Sequence, residues 1–212
     1  PTGTVLFHRD VQPILNQRCV VCHSCYDAPC QLKLGSWEGV ARGASKVEVY
    51  NGTRLRDGEP TRLFIDAEKM SQWREKGFFP VLNEFPAAAA ELSGSLLARA
   101  IDLKAAHPPL PDVPLDGNTD FSIGRSQSCS SVEEYGAIER NKPEWGMPFG
   151  LPALSEGEVG TLKRWLLQGA PYEGPRPVAE STQRQVVEWE RFLNGEGLKG
   201  QLAARYIYEH LF

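Results

Sequence analysis

The stretch Cys19-Val20-Val21-Cys22-His23 constrains this chain more than any other. Its C-x-x-C-H spacing is the one that attaches a c-type haem, because two thiols add across the porphyrin vinyl groups and the adjacent imidazole then binds the iron. The alternatives are a redox-active C-x-x-C and a structural zinc site. Zinc would need a second ligand pair, and no separate later C-x-x-C and no H-x-x-x-H exists. The motif predicts one covalent haem c, attached through Cys19 and Cys22, with His23 on the iron.

Composition excludes some classes of protein. The 212 residues, 41% of them hydrophobic, suffice for a haem domain with additional segments. A net charge of −4 argues against a nucleic-acid partner, which would require a clustered basic surface. The sequence contains no run of about 18 apolar residues, so it predicts no membrane-spanning helix. The chain begins at Pro1 without a leader, and covalent haem is attached outside the cytoplasm. We therefore expect a periplasmic location and a removed signal peptide.

Three cysteines remain after the haem pair, namely Cys25, Cys30 and Cys129. In an oxidising compartment two of them should form a disulfide and one should be left over. Cys25 and Cys30 are close in sequence across a proline-containing loop, but either could instead pair with Cys129. The sequence leaves the pairing open.

Hydrophobic periodicity and capping signals predict a mainly α protein, with a cytochrome c-like haem domain, long loops and extra C-terminal helices. The predicted helices lie within 4–18, from Ser36 to Gly43, from Ser93 or Ser95 through Leu103, from Ser130 or Ser131 to Asn141, from Ser155 to Gly169, and at 176–194 and 199–212. Asn51-Gly52 predicts a small β-hairpin within 45–60.

The same pattern predicts two regions. Residues 1–175 would form the haem domain, with an insertion at about 36–125. Residues 176–212 would form amphipathic helices that begin a further region of a longer protein.

Met147 is the predicted second iron ligand. It lies between Gly146 and Pro148, on a loop just upstream of a capped helix that contains Trp165, as in the distal half of a cytochrome. His107, before a proline-rich stretch, is the reserve candidate. Met70 is more simply explained as core filling.

Aromatic side chains are concentrated in residues 61–85. They are Phe64, Trp73, Phe78, Phe79 and Phe85. We interpret them as core packing around the porphyrin. The alternative is an apolar pocket for an acyl chain.

Several stretches together resemble the periplasmic fatty acid cis/trans isomerases of Gram-negative bacteria. They are RCVVCHSCYDAPCQLKL (18–34), WREKGFFPVL (73–82), IGRSQSC (123–129), PEWGMPFGLPALS (143–155) and RYIYEHLF (205–212). The resemblance implies conversion of cis double bonds in phospholipid acyl chains to trans, without moving the bond and without ATP or NAD(P)H. Family members are longer, so this chain resembles the N-terminal, haem-bearing portion.

The resemblance also implies partners: unsaturated phospholipid acyl chains or free fatty acids, a peripheral contact with the membrane surface, and the remainder of a longer polypeptide. On the residues alone, a periplasmic electron-transfer cytochrome c is the more common use of such a haem. A haem-based sensor or interaction module is a third hypothesis. The resemblance places the isomerase first.

Two axial ligands create a conflict for the isomerase reading. If both His23 and Met147 bind iron, no coordination position is open to a double bond. Either Met147 dissociates, or the bond reacts at the haem edge by outer-sphere electron transfer.

Overall fold

The computed structural model describes residues 3–24, 28–47, 61–84, 91–108 and 127–211. Within these residues there are eight α-helices and one two-stranded antiparallel sheet, so the prediction of a mainly α protein is confirmed. The chain divides into two compact units, Pro1–Glu173 and Gly174–Phe212.

The first unit contains six of these helices and both strands. In chain order they are α1 (Gln12–Arg18), α2 (Trp37–Arg42), β1 (Ala44–Ser45), α3 (Met70–Glu75), β2 (Phe78–Phe79), α4 (Leu96–Ala106), α5 (Tyr135–Asn141) and α6 (Glu156–Leu167). A π-helical turn, Phe7–Val11, precedes α1, and 3-10 turns lie at Pro29–Gln31 and Pro143–Trp145.

The segment before the C-x-x-C-H motif packs against α6. Val11 and Leu15 are fully buried and belong to the same hydrophobic cluster as Leu162 on α6. The Phe7 ring, also fully buried, has its centroid 5.9 Å from that of Trp165. Burial of these aliphatic and aromatic side chains is the main force that holds the segment before the motif against α6. The main core therefore fixes the helix from which the motif emerges.

Three predicted helix starts are confirmed by their caps. The hydroxyls of Ser36, Ser95 and Ser155 each accept a hydrogen bond from the backbone N–H three residues later, at 3.2–3.3 Å. Each bond satisfies an amide that the first turn of a helix leaves without a partner. The predicted end of α6 is also confirmed, since Gly169 adopts a φ of 82°.

The prediction for α5 was wrong at its start. We predicted a helix from Ser130 or Ser131, and α5 begins at Tyr135. The Ser131 hydroxyl donates to the Glu133 carboxylate at 2.6 Å and does not accept from a backbone amide. The nearby carboxylate is the stronger partner, so residues 132–134 form a turn before the helix.

The sheet joins segments that are far apart in sequence. Ala44 pairs with Phe79 and Ser45 with Phe78, in an antiparallel register. The hairpin predicted within 45–60 lies largely outside the described residues. This long-range pairing ties α2 to the aromatic stretch that follows α3.

The second unit contains α7 (Glu180–Leu193) and α8 (Leu198–Leu211), where two amphipathic helices were predicted. Near the turn between them, the Gln201 amide donates to the Glu196 carbonyl at 3.2 Å. Trp189 on α7 and Leu202 on α8 are exposed. In the part of the chain that the structure describes, no helix combines the length and apolar character needed to cross a membrane.

Lys104 is a charged residue on the buried face of α4. It is only 4% exposed, and no hydrogen bond or ion pair joins its ammonium to another described residue. Burial lowers its pKa from 10.5, because the charged form is desolvated. We expect Lys104→Met to raise the free energy of unfolding by about 1 kcal/mol at pH 7 in urea titrations.

The pH dependence of that gain follows from the sign of the shift. The pKa of Lys104 is lower in the folded than in the unfolded chain. The buried charge therefore destabilises the folded state fully below the folded-state pKa, and this destabilisation disappears as the pH rises through 10.5. Lys46→Met is the control, since Lys46 is half-exposed and pairs with Glu134. Equal effects of the two substitutions at all pH values would contradict the prediction.

Candidate functional site

The C-x-x-C-H motif forms tight turns directly after α1. The Cys19 N–H donates to the Leu15 carbonyl at 2.8 Å, which continues the helical pattern for one residue. The Cys22 and His23 amides then both donate to the Cys19 carbonyl, at 3.1 and 3.0 Å. These bonds fold the five residues back on themselves, so the two thiols and the imidazole project from one compact turn.

The two thiols are not joined to each other. Cys19 is half-buried and Cys22 is exposed. Burial raises the pKa of Cys19 to about 11, whereas a redox-active C-x-x-C requires a thiol with a lowered pKa. Among the described residues, no three His, Cys, Asp or Glu side chains are gathered as a metal-binding group.

The His23 imidazole is buried and oriented by a backbone carbonyl. Its Nδ1 lies 3.1 Å from the Leu32 oxygen, and because a carbonyl can only accept, Nδ1 carries the proton in this contact. Nε2 is then the basic nitrogen, which is the arrangement of a metal-binding histidine. The Leu34 N–H also donates to the His23 carbonyl at 2.8 Å. Two unbridged thiols next to an oriented imidazole fit a covalently bound haem c.

Met147 is held against α4 by its backbone. Its N–H donates to the Ala100 carbonyl at 2.9 Å. Gly146 makes this approach possible, since a Cβ there would collide with the backbone nitrogen of Lys104. The half-buried Met147 side chain packs against a cluster that includes Ala100, Leu103 and Tyr135, and Leu32 packs against the same cluster. Met147 as an iron ligand stays a prediction.

The other candidate ligands have ordinary environments. His107 is exposed at the end of α4. Met70 begins α3 and is 37% exposed.

A disulfide joins Cys30 to Cys129, which answers the question of pairing that the sequence left open. Cys25 lies outside the described residues. The Cys30 N–H also donates to the Gln127 side-chain oxygen at 2.9 Å. The disulfide and this bond together anchor the segment that supplies the Leu32 carbonyl to His23.

The aromatic block at 61–85 is divided between core and surface. Trp73 and Phe78 are buried together, with ring centroids 5.1 Å apart. Phe79 is half-buried, Phe64 is 70% exposed, and Phe85 lies outside the described residues. The Arg42 guanidinium lies over the Trp73 and Phe78 rings, 5.2 and 4.5 Å from their centroids. Core packing therefore accounts for Trp73 and Phe78, and Arg42 is a residue of this region that sequence reasoning missed.

The chain offers a matched pair of substitutions for the predicted second ligand, because Met147 and Met70 are its two methionines. In the haem-loaded chain, we expect Met147→Ala to convert a low-spin absorption spectrum to a high-spin one and to remove the thioether charge-transfer band. Met70→Ala should leave the spectrum unchanged. A wild-type spectrum for Met147→Ala would remove this residue from the iron.

Comparison with known proteins gives one family. The family model described as fatty acid cis/trans isomerase (CTI) matches residues 58–212. No curated protein and no solved structure matches the chain. The matched stretch contains Cys129 and Met147, whereas the C-x-x-C-H motif lies before it.

Proposed function

From the premise that the chain belongs to the fatty acid cis/trans isomerase family, we propose that it is the haem-bearing part of an isomerase. The reaction would convert cis double bonds of unsaturated fatty acyl chains to trans. We further propose that the acyl chains belong to membrane phospholipids, that the protein works in the periplasm at the membrane surface, and that the remainder of a longer polypeptide is its partner.

One observation carries the haem part of this proposal. The Leu32 carbonyl accepts from His23 Nδ1 and so fixes the ring in the Nδ1–H form, which makes Nε2 the basic ring nitrogen, the one that would bind an iron. The adjacent thiols of Cys19 and Cys22 are not bridged to each other, so both can form thioethers.

The residues of this chain would have distinct roles. Cys19 and Cys22 would hold the porphyrin covalently, His23 would be the proximal ligand, and Met147 would be the second ligand. An oxidised haem c iron would supply an electron-withdrawing centre that lowers the order of a carbon–carbon double bond. The protein accelerates the rotation only if it binds the twisted double bond more tightly than the planar one.

The activity test uses the haem-loaded chain and vesicles of phospholipid with cis-monounsaturated chains. Trans fatty acids are measured by gas chromatography after hydrolysis. The Cys19→Ser/Cys22→Ser variant, which cannot hold haem covalently, is the control. We expect trans product from the wild type alone.

Two outcomes would contradict the proposal. Equal product from the serine variant would show that the reaction does not depend on covalent haem. Absence of trans product from both vesicles and free cis fatty acid, together with rapid electron exchange with a redox partner, would instead favour the electron-transfer cytochrome.

A further inference from the structure

The segment Cys30–Leu34 is hydrogen-bonded to both the ring and the backbone of His23. The His23 ring donates to the Leu32 carbonyl, and the Leu34 N–H donates to the His23 carbonyl. The orientation of the ring therefore depends on the conformation of this segment.

The backbone of the segment is strained where it precedes Leu32. Cys30 and Gln31 have φ values of 55° and 51°, in the left-handed region that a residue with a Cβ rarely adopts. Each such residue carries a steric cost, because its Cβ crowds the neighbouring backbone. Two in succession persist only where surrounding contacts over-determine the conformation.

The contacts that do so converge on these two residues. The Cys30–Cys129 disulfide and the Gln127 side chain fix Cys30. The Gln31 side-chain amide donates to the Val47 carbonyl at 2.7 Å. The Gln31 carbonyl accepts from Nη2 of Arg42. Arg42 thus fixes the peptide group immediately before Leu32.

Arg42 is an unusual residue for a core. It is fully buried, its Nη1 donates to the Thr61 carbonyl at 2.7 Å, and no described carboxylate forms an ion pair with it. Burial lowers its pKa to about 10, and its Nε has no hydrogen-bond partner. A buried charge of this kind is costly compared with an apolar side chain of similar size. Its compensation comes from two aromatic faces and two carbonyls.

We propose that Arg42 is a positioning residue for the haem ligand. It holds the Gln31 carbonyl, and through the strained peptide it aims the Leu32 carbonyl at His23 Nδ1, which preselects the tautomer with a basic Nε2. This inference deepens the proposed function and rests on it, because His23 has that role only if haem is bound. An arginine fits the task better than a lysine, since its planar fork reaches two carbonyls at fixed angles.

The test is the tautomer of His23 in the haem-free chain, measured from its ring ¹⁵N shifts at a pH where the imidazole is neutral. We expect the wild type to be in the Nδ1–H form. Arg42→Met should shift the tautomer ratio by about tenfold towards the Nε2–H form, because the Leu32 carbonyl is no longer held in place. Arg42→Lys should give an intermediate ratio. In the haem-loaded chain, the same variants should change the midpoint potential in the same order.

Arg99→Met is the matched control. Arg99 also stacks on an aromatic ring, that of Tyr135 at 5.1 Å, and donates to a carbonyl, that of Val132. It pairs with Glu139 and forms no hydrogen bond, ion pair or ring contact with the Cys30–Leu34 segment, all of which the structure describes. Its loss should lower stability and leave the His23 shifts unchanged.

An unchanged His23 tautomer in Arg42→Met, with a loss of stability like that of Arg99→Met, would overturn the inference. If Arg42→Met does not fold, Arg42→Lys provides the test, since it retains the charge and most of the aliphatic side chain. An unchanged His23 tautomer in that variant would likewise overturn the inference. Failure of haem attachment would contradict the proposed function and not this inference, because the tautomer is read without haem.

Discussion

Replacing His23 by Ala should lower the isomerase activity of the haem-loaded chain by about 100-fold or more. Loss of an outer-shell partner alone reduces metal affinity or activity by roughly 10- to 100-fold, and His23 is the predicted ligand itself. The side chain is buried and its ring is oriented by the Leu32 carbonyl, so a solvent molecule cannot reproduce its position. Initial rates on cis-phospholipid vesicles and the absorption spectrum are the measurements.

His107→Ala is the control for this substitution. His107 is exposed at the end of α4. Its replacement should change the rate by less than about twofold, since substitutions of exposed residues away from the core and the binding site have small effects. If His23→Ala retains both the wild-type spectrum and the wild-type rate, His23 is not an iron ligand.

The second large effect is expected from the disulfide. Cys30 and Cys129 are 99 residues apart, and closing a loop of that length restricts the unfolded chain strongly. The chain-entropy relation gives about 4.7 kcal/mol for a loop of about 100 residues. We expect Cys30→Ser/Cys129→Ser to lower the free energy of unfolding by roughly 3–5 kcal/mol, which urea titration would show as an earlier midpoint.

Cys25→Ser provides the comparison, because the observed disulfide does not include Cys25. It should leave the midpoint unchanged, and addition of reductant should destabilise Cys25→Ser and the wild type alike. A midpoint that moves with Cys25→Ser and not with Cys129→Ser would show that a different pair of cysteines is joined in solution.

The features that the sequence predicted well are those set by neighbours in the chain. Pro13 and the spacing of Val11 and Leu15 are enough to predict the helix before the motif. Ser155 and Glu158 are three residues apart and form a capping box, so the start of α6 could be placed to the residue.

The features that it missed depend on contacts between distant segments. The pairing of Ala44 with Phe79 follows from the packing of α2 on α3 and has no local signal. Cys129 is the partner of Cys30 because the fold brings residues 127–129 next to Cys30, where Gln127 also accepts a hydrogen bond from the Cys30 N–H. The Leu32 carbonyl that orients the His23 ring is a backbone group, and no sequence motif predicts such a contact. Arg42 lay within a correctly predicted helix, but burial of its guanidinium could not be read from its position there.

The intact mass of the chain, purified from cells that mature c-type cytochromes, tests the central claim most directly. We predict a single species heavier than the polypeptide by one haem, and the unmodified polypeptide mass for the Cys19→Ser/Cys22→Ser variant. An unmodified wild-type mass, with Cys19 and Cys22 joined in a disulfide or bound to zinc, would contradict the claim that this turn carries haem c.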